Sequence, residues 1–158
     1  MAPQKKNTPI KICLAASAGG HLEQLLKIAN RWQQYDVFYV STQDIVAQKL
    51  QSFGPTYIVG ECNRQHPLKT FIVLARCIKL VLKLRPDVVI STGAAAGFLM
   101  CITALFFGAR IVWIDSIANV TKLSLSGRMI RPFSDLFLTQ WPELAGKYKN
   151  VEYIGSLL

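Results

Sequence analysis

Two kinds of hydrophobic pattern alternate along the chain: short continuous apolar runs, and longer stretches with apolar residues at helical spacing. The run Ile10–Ala16 (IKICLAA) predicts a buried strand, and Ser17-Ala18-Gly19-Gly20 a tight turn. A helix follows, with Leu22, Leu25, Leu26, Ala29 and Trp32 on one face and His21, Glu23, Lys27, Asn30 and Arg31 on the other. Tyr35–Ser41 predicts a second strand, Gln43–Phe53 a helix and Thr56–Val59 a short strand. Pro67–Leu84 predicts a long helix, ended by Arg85-Pro86. Asp87–Ser91 and Arg110–Asp115 predict strands on either side of a helix over Ala94–Phe107. A short helix over Ser124–Arg131 then leads to strands Asp135–Thr139 and Val151–Ile154, joined by a helical turn over Pro142–Tyr148.

Strands that alternate with helices and read as unbroken apolar runs indicate a parallel sheet covered on both faces. The predicted fold is therefore a doubly wound, Rossmann-like α/β domain over residues 10–158, preceded by a flexible basic tail over residues 1–9. Ligands in such sheets bind at the carboxyl ends of the strands, so candidate site residues should follow strands. Residues 88–109 carry no charge, a span long enough to cross a bilayer. They begin with a strand-like VVI and contain Ser91-Thr92-Gly93 and Gly97, so strand, glycine turn and buried helix is the favoured reading.

The chain has 158 residues, enough for one domain. With 51% hydrophobic and 17% charged residues it can build a large core, and disorder is excluded. A net charge of +9 implies an anionic partner such as phosphate, nucleic acid or an acidic membrane. Cys13, Cys62, Cys77 and Cys101 form no CxxC pair and read as reduced thiols of a cytosolic protein. No metal site and no cofactor are expected.

Three motifs follow strands. In Ser17-Ala18-Gly19-Gly20-His21 the paired glycines let backbone N–H groups approach a ligand at a helix N-terminus, which suits a phosphate or diphosphate. The spacing is not GxGxxG, so a dinucleotide is poorly supported. His21 either donates to the phosphate, acts as a base, or is a solvated residue opening the helix. The second motif, Ser91–Gly97 (STGAAAG), offers the Ser91 and Thr92 hydroxyls and the close approach of Gly93, although small residues also serve helix–sheet packing. The third is Asp115-Ser116, where the carboxylate either holds or deprotonates a sugar hydroxyl, or caps and braces a loop.

Segment 64–85 carries basic residues and no acidic ones. Lys69, Arg76, Lys79 and Lys83 fall within about 80° of a helical wheel. Much of the rest is apolar: Phe71, Leu74, Ile78, Val81, Leu82 and Leu84. This pattern fits a helix lying between the sheet and an anionic membrane surface, or a core helix with one solvated stripe. The stripe has no interleaved aromatics and no nucleic-acid motif, so nucleic acid is not an expected partner.

The stretches SAGGHLEQL (17–25), STGAAAG (91–97), WIDSIANVTKLSLSGRMIRPFSDLFLTQWPELA (113–145) and YIG (153–155) together resemble the acceptor-binding, membrane-associated subunit of split glycosyltransferases. One branch is the eukaryotic subunit that helps add the second GlcNAc to dolichol-diphosphate-GlcNAc; the other serves bacterial capsule and exopolysaccharide assembly. The resemblance implies the N-terminal half of a GT-B enzyme, with a separate partner subunit binding the UDP-sugar donor. It implies inverting transfer to a polyprenyl-diphosphate-linked sugar. Ser17, Gly19, Gly20, Thr92, Gly93 and Gly97 would bind the acceptor diphosphate, and Ser116 and Asn119 the acceptor sugar. His21 or Asp115 would be the general base. Asp115-Ser116 falls where many relatives carry Glu-Ser, and Asn119 where many carry Arg. Eukaryotic members usually begin with a membrane helix that is not seen here. The expectation is accordingly a bacterial member, peripheral on the cytoplasmic face and held there by Lys69, Arg76, Lys79 and Lys83. The competing readings are a non-catalytic membrane adaptor that recruits a self-sufficient transferase, and a nucleotide-binding domain acting alone.

Overall fold

The structure is a computed structural model that describes residues 9–62 and 65–157. The expected tail over residues 1–9 lies, except for Pro9, outside the described residues. The strands are β1 (Lys11–Ala16), β2 (Asp36–Ser41), β3 (Thr56–Ile58), β4 (Val88–Gly93), β5 (Arg110–Ile114), β6 (Leu136–Thr139) and β7 (Glu152–Tyr153). They form one sheet in the order β3-β2-β1-β4-β5-β6-β7, every neighbouring pair parallel. The helices are α1 (Gly20–Ala29), α2 (Ala47–Gln51), α3 (Pro67–Leu84), α4 (Ala94–Phe106), α5 (Leu125–Ile130) and α6 (Pro142–Lys147). The helix expected over residues 43–53 is instead a 3-10 turn, Asp44–Val46, leading into the shorter α2.

Side chains of β1 alternate between two cores, as the two-residue period of a strand requires. Ile12, Leu14 and Ala16 pack with Leu22, Leu25 and Ala29 of α1 on one face. Cys13 and Ala15 pack with Val73, Cys77 and Val81 of α3 and Met100, Cys101 and Ala104 of α4 on the other. The chain leaves β1 in one direction across the sheet and resumes at β4 in the other. β1 and β4 are neighbours, so their carboxyl ends form the switch point at which such sheets place ligands. Ala16 faces Gly93 there, after a register shift between Ala15 and Ala16.

The uncharged stretch is β4 running directly into α4, as the glycines suggest. Among the described residues no helix is long and apolar enough to cross a membrane. Cys13, Cys77 and Cys101 are buried free thiols and Cys62 is half-buried. Burial pushes the Cys77 thiol up to about 12, with Cys62 adding to the shift, which disfavours the reactive thiolate.

Candidate functional site

The helices α1 and α4 begin side by side at the switch point. Each is preceded by a glycine in the left-handed region, Gly19 at φ 101° and Gly93 at φ 127°, and neither start has a side-chain cap. The first backbone N–H groups of both helices are therefore left for an external acceptor, the arrangement that favours anions.

His21 links the two starts. Its Nδ1 lies 2.8 Å from the carbonyl oxygen of Thr92, and the Thr92 hydroxyl donates back to the His21 carbonyl at 2.6 Å. A carbonyl oxygen only accepts, so Nδ1 carries the proton and Nε2 of the neutral ring is the acceptor. A Cβ on Gly93 would lie 2.8 Å from two atoms of this ring, so the glycine makes room for the imidazole. His21 lines a cleft of about 310 Å³ together with Ala94, Ser116, Asn119 and Ser124. Ala94, in the left-handed region at φ 66°, also borders a second cleft of about 240 Å³ lined by Ser17, Thr42, Glu61 and Cys62. The first residue of α4 thus separates a cleft containing the base candidate from one containing the Ser17 loop. The Cys62 thiol is raised by burial and by the neighbouring Glu61 carboxylate, so it is a poor nucleophile.

The second glycine motif departs from expectation. Residues 91–97 form no loop, because β4 continues to Gly93 and α4 starts at Ala94. Thr92 is fully buried and its hydroxyl donates to the His21 carbonyl, so it braces His21 and is not free to bind diphosphate through its side chain. Gly97 lies inside α4, and a Cβ there would meet the Ser91 hydroxyl at 2.3 Å. Its glycine serves close helix–sheet packing rather than ligand approach.

Asp115 also takes a different place from a catalytic base. It is 1% exposed. Its Oδ1 accepts from Trp113 Nε1 at 3.1 Å and from the Ser124 hydroxyl at 2.5 Å, and its Oδ2 accepts from Ser124 N at 2.8 Å. Ser124 in turn caps α5, accepting from Gly127 N at 2.8 Å. A Cβ on Gly127 would press on both Asp115 and Ser124 at 2.7 Å. Asp115 is thus the bracing group of the loop that carries Ser116 and Asn119.

Two residues missed by the sequence analysis complete the site's floor. Gln24 and Gln140, both nearly fully buried, are joined by a 2.6 Å hydrogen bond. Gln24 also donates to the Ser116 hydroxyl and accepts from Ile117 N, and Gln140 donates to the Asp115 carbonyl. Their signal was a polar residue at a position where the apolar pattern calls for burial.

On α3 the inward residues are Val73, Cys77 and Val81. Lys69, Arg76, Lys79 and Lys83 are all exposed, and Arg76 also donates from Nη1 to the Val59 carbonyl at 3.0 Å. Of the apolar residues on the rest of the wheel, Phe71, Ile78 and Leu82 are exposed beside these cations, as are Leu68 and Ile72.

A family model described as "Oligosaccharide biosynthesis protein Alg14 like" matches residues 53–157. The UDP-N-acetylglucosamine transferase subunit ALG14 of Yarrowia lipolytica is 29% identical, over 97% of this chain and 83% of its own length. The protein of the same name from Rattus norvegicus is 36% identical, over 99% and 87%. Both are eukaryotic. Among solved structures, MurG of Acinetobacter baumannii superposes with a TM-score of 0.78 at 15% identity, over 94% of this chain and 46% of its own. That likeness concerns the fold, of GT-B type, and this chain spans about half of the solved one. The chain belongs to the Alg14-like family of oligosaccharide biosynthesis proteins.

Proposed function

We propose that this chain is the acceptor-binding half of a two-chain glycosyltransferase, which moves a sugar from a UDP-sugar held by a partner subunit to a polyprenyl-diphosphate-linked sugar. The observation that carries the reading is His21, fixed by Thr92 between two uncapped helix starts with Nε2 as its acceptor nitrogen. The acceptor diphosphate would lie against the N–H groups following Gly19 and Gly93, near Ser17. The acceptor sugar would occupy the cleft lined by His21, Ser116 and Asn119. His21 Nε2 takes the proton of the acceptor hydroxyl while that oxygen attacks the anomeric carbon of the donor. The bond from that carbon to UDP breaks, and inversion follows from attack on the opposite face. The names of the relatives point to UDP-N-acetylglucosamine as donor.

Membrane contact belongs to the same reading. The exposed half of α3 sets Lys69, Lys79 and Lys83 beside Leu68, Phe71, Ile72 and Leu82, a surface suited to the anionic cytoplasmic face of a bilayer.

Calorimetric titration of the full chain with UDP-sugars tests the division of labour. No binding by the chain alone, with transfer appearing once the donor-binding partner is added, is the expected result. Micromolar binding of a UDP-sugar by this chain would assign both helix starts to a nucleotide instead. Full transfer by the partner without this chain would make it an adaptor.

A further inference from the structure

The end of the sheet opposite the candidate site holds a larger groove, of about 880 Å³, between the end of α3 and the starts of β4 and β5. Two arginines, Arg85 and Arg110, line it, with Leu82 and Phe107 as apolar wall. Neither guanidinium has a hydrogen-bond or ion-pair partner among the described residues. One carboxylate, Asp87, also lines the groove, its Oδ2 accepting from Lys11 N at 2.8 Å, so the two guanidinium groups outnumber it.

Arg85 stands in the left-handed region at φ 47°, at the cap position of α3 where glycine is the unstrained choice. A strained non-glycine residue that carries an unpaired charge into a groove points to a role for the side chain itself. A second groove adjoins it. Phe107 lines both the first groove and this mainly apolar one of about 440 Å³ between α3 and α4, which Ile78, Leu99, Thr103 and Phe106 also line. Phe106 is 83% exposed, at the open rim of that second groove. Two cations in one groove and an apolar groove on the other side of Phe107 match one kind of molecule, with an anionic head and a hydrocarbon tail. The switch point lies about 15–20 Å away, the length of the central strands, so this is not the acceptor site.

We infer that the Arg85–Arg110 groove binds the phosphate headgroup of an anionic bilayer phospholipid whose acyl chain lies along the α3–α4 groove. The inference rests on the reading that the outer face of α3 meets the membrane. It adds a specific lipid seat to a diffuse charged surface.

The test is partition of the full chain onto phosphatidylcholine vesicles with and without phosphatidylglycerol. Variants are Arg110→Gln, the double variant Arg85→Gly with Arg110→Gln, and Lys79→Gln with Lys83→Gln. Each cation near an anionic surface contributes about 1 kcal/mol, so the arginine pair should weaken partition onto anionic vesicles about 10- to 30-fold, and Arg110→Gln alone about fivefold. The thermal midpoint should stay level or rise, because glycine relieves the strain at residue 85. Soluble glycerophosphoglycerol, which lacks the tail, should not compete. Unchanged partition in the arginine variants would overturn the inference while leaving the α3 reading intact if the lysine variant still loses binding. A fall in thermal midpoint with lost binding in the double variant, and no loss in Arg110→Gln, would make Arg85 a structural cap. Full competition by the soluble headgroup would assign the groove to a soluble phosphate. Absence of vesicle binding by the parent chain would remove both readings.

Discussion

The two strand-to-helix junctions at the switch point have nearly the same vocabulary of small residues and opposite construction. After β1 the chain takes an open turn. Gly19 and Gly20 are exposed, and a Cβ at either would meet nothing within 4 Å. After β4 there is no turn at all. Gly93 lies against the His21 ring, and Gly97 lies against Ser91 and the Ala15 carbonyl. One junction leaves space for a ligand and the other uses its glycines to bring protein atoms together. Small residues report close approach; only the structure says what approaches.

The largest expected effect comes from the residue that joins the two junctions. His21→Ala should lower transfer by the reconstituted two-chain enzyme about 10²- to 10⁴-fold, the range for loss of a general base. Folding should be little affected, since the ring is only partly buried. A turnover within threefold of the parent would take His21 out of the chemistry. Gly93→Ala should come next. The new Cβ sits at φ 127° and 2.8 Å from the ring, so it should cost about 1–3 kcal/mol in stability. Displacing the imidazole should also lower turnover about 100-fold, as small misplacements of reacting groups do. If stability falls while turnover per folded molecule holds, the glycine is a packing residue only.

A smaller effect separates packing from binding at the far end of the motif. Gly97→Ala should destabilise by about 1–3 kcal/mol through overpacking. The atom it meets is a side-chain hydroxyl, the Ser91 Oγ at 2.3 Å. Ser91→Ala in the same chain should therefore recover much of the loss, with coupling visible in a double-mutant cycle of thermal unfolding. Additive losses would mean that backbone atoms are the obstacle. Transfer per folded molecule should be unchanged, because Gly97 touches no cleft.

The alternation of apolar runs and helical stretches gave the order of strands and helices, since both periods are written directly in side-chain polarity. Ser17–His21 and Asp115–Asn119 follow strands, which marked the carboxyl end of the sheet as the place of the candidate site. What each residue does there was harder to read. Asp115 has the sequence position of a base, but Trp113 and Ser124 fill its carboxylate, and those partners are set by loop geometry rather than by spacing. Thr92 looked like a ligand hydroxyl, yet its partner is 71 positions away in sequence. The pair Gln24 and Gln140 is separated by 116 positions and joins α1 to the end of β6, a strand that is not a sheet neighbour of β1. On α3 the period was legible, but its phase was not, because the helix is apolar on more than the side it buries.

The smallest predicted effect bears most directly on whether the first junction is a ligand loop. Gly20 is the first residue of α1, exposed, without a left-handed φ and with open space where a Cβ would stand. Replacing such a glycine with alanine restricts the unfolded chain and favours the helix, so Gly20→Ala should stabilise the protein by about 0.5–1 kcal/mol. Nothing in the protein resists the added methyl group. A ligand whose diphosphate lies against the N–H groups of this helix start would resist it, because the methyl occupies the space through which those groups are approached. The signature is therefore a higher melting temperature combined with a severalfold rise in KM for the lipid acceptor and no change for the donor. A stabilised variant with an unaltered acceptor KM would show that the diphosphate binds elsewhere, leaving the opening at this junction as an exposed turn.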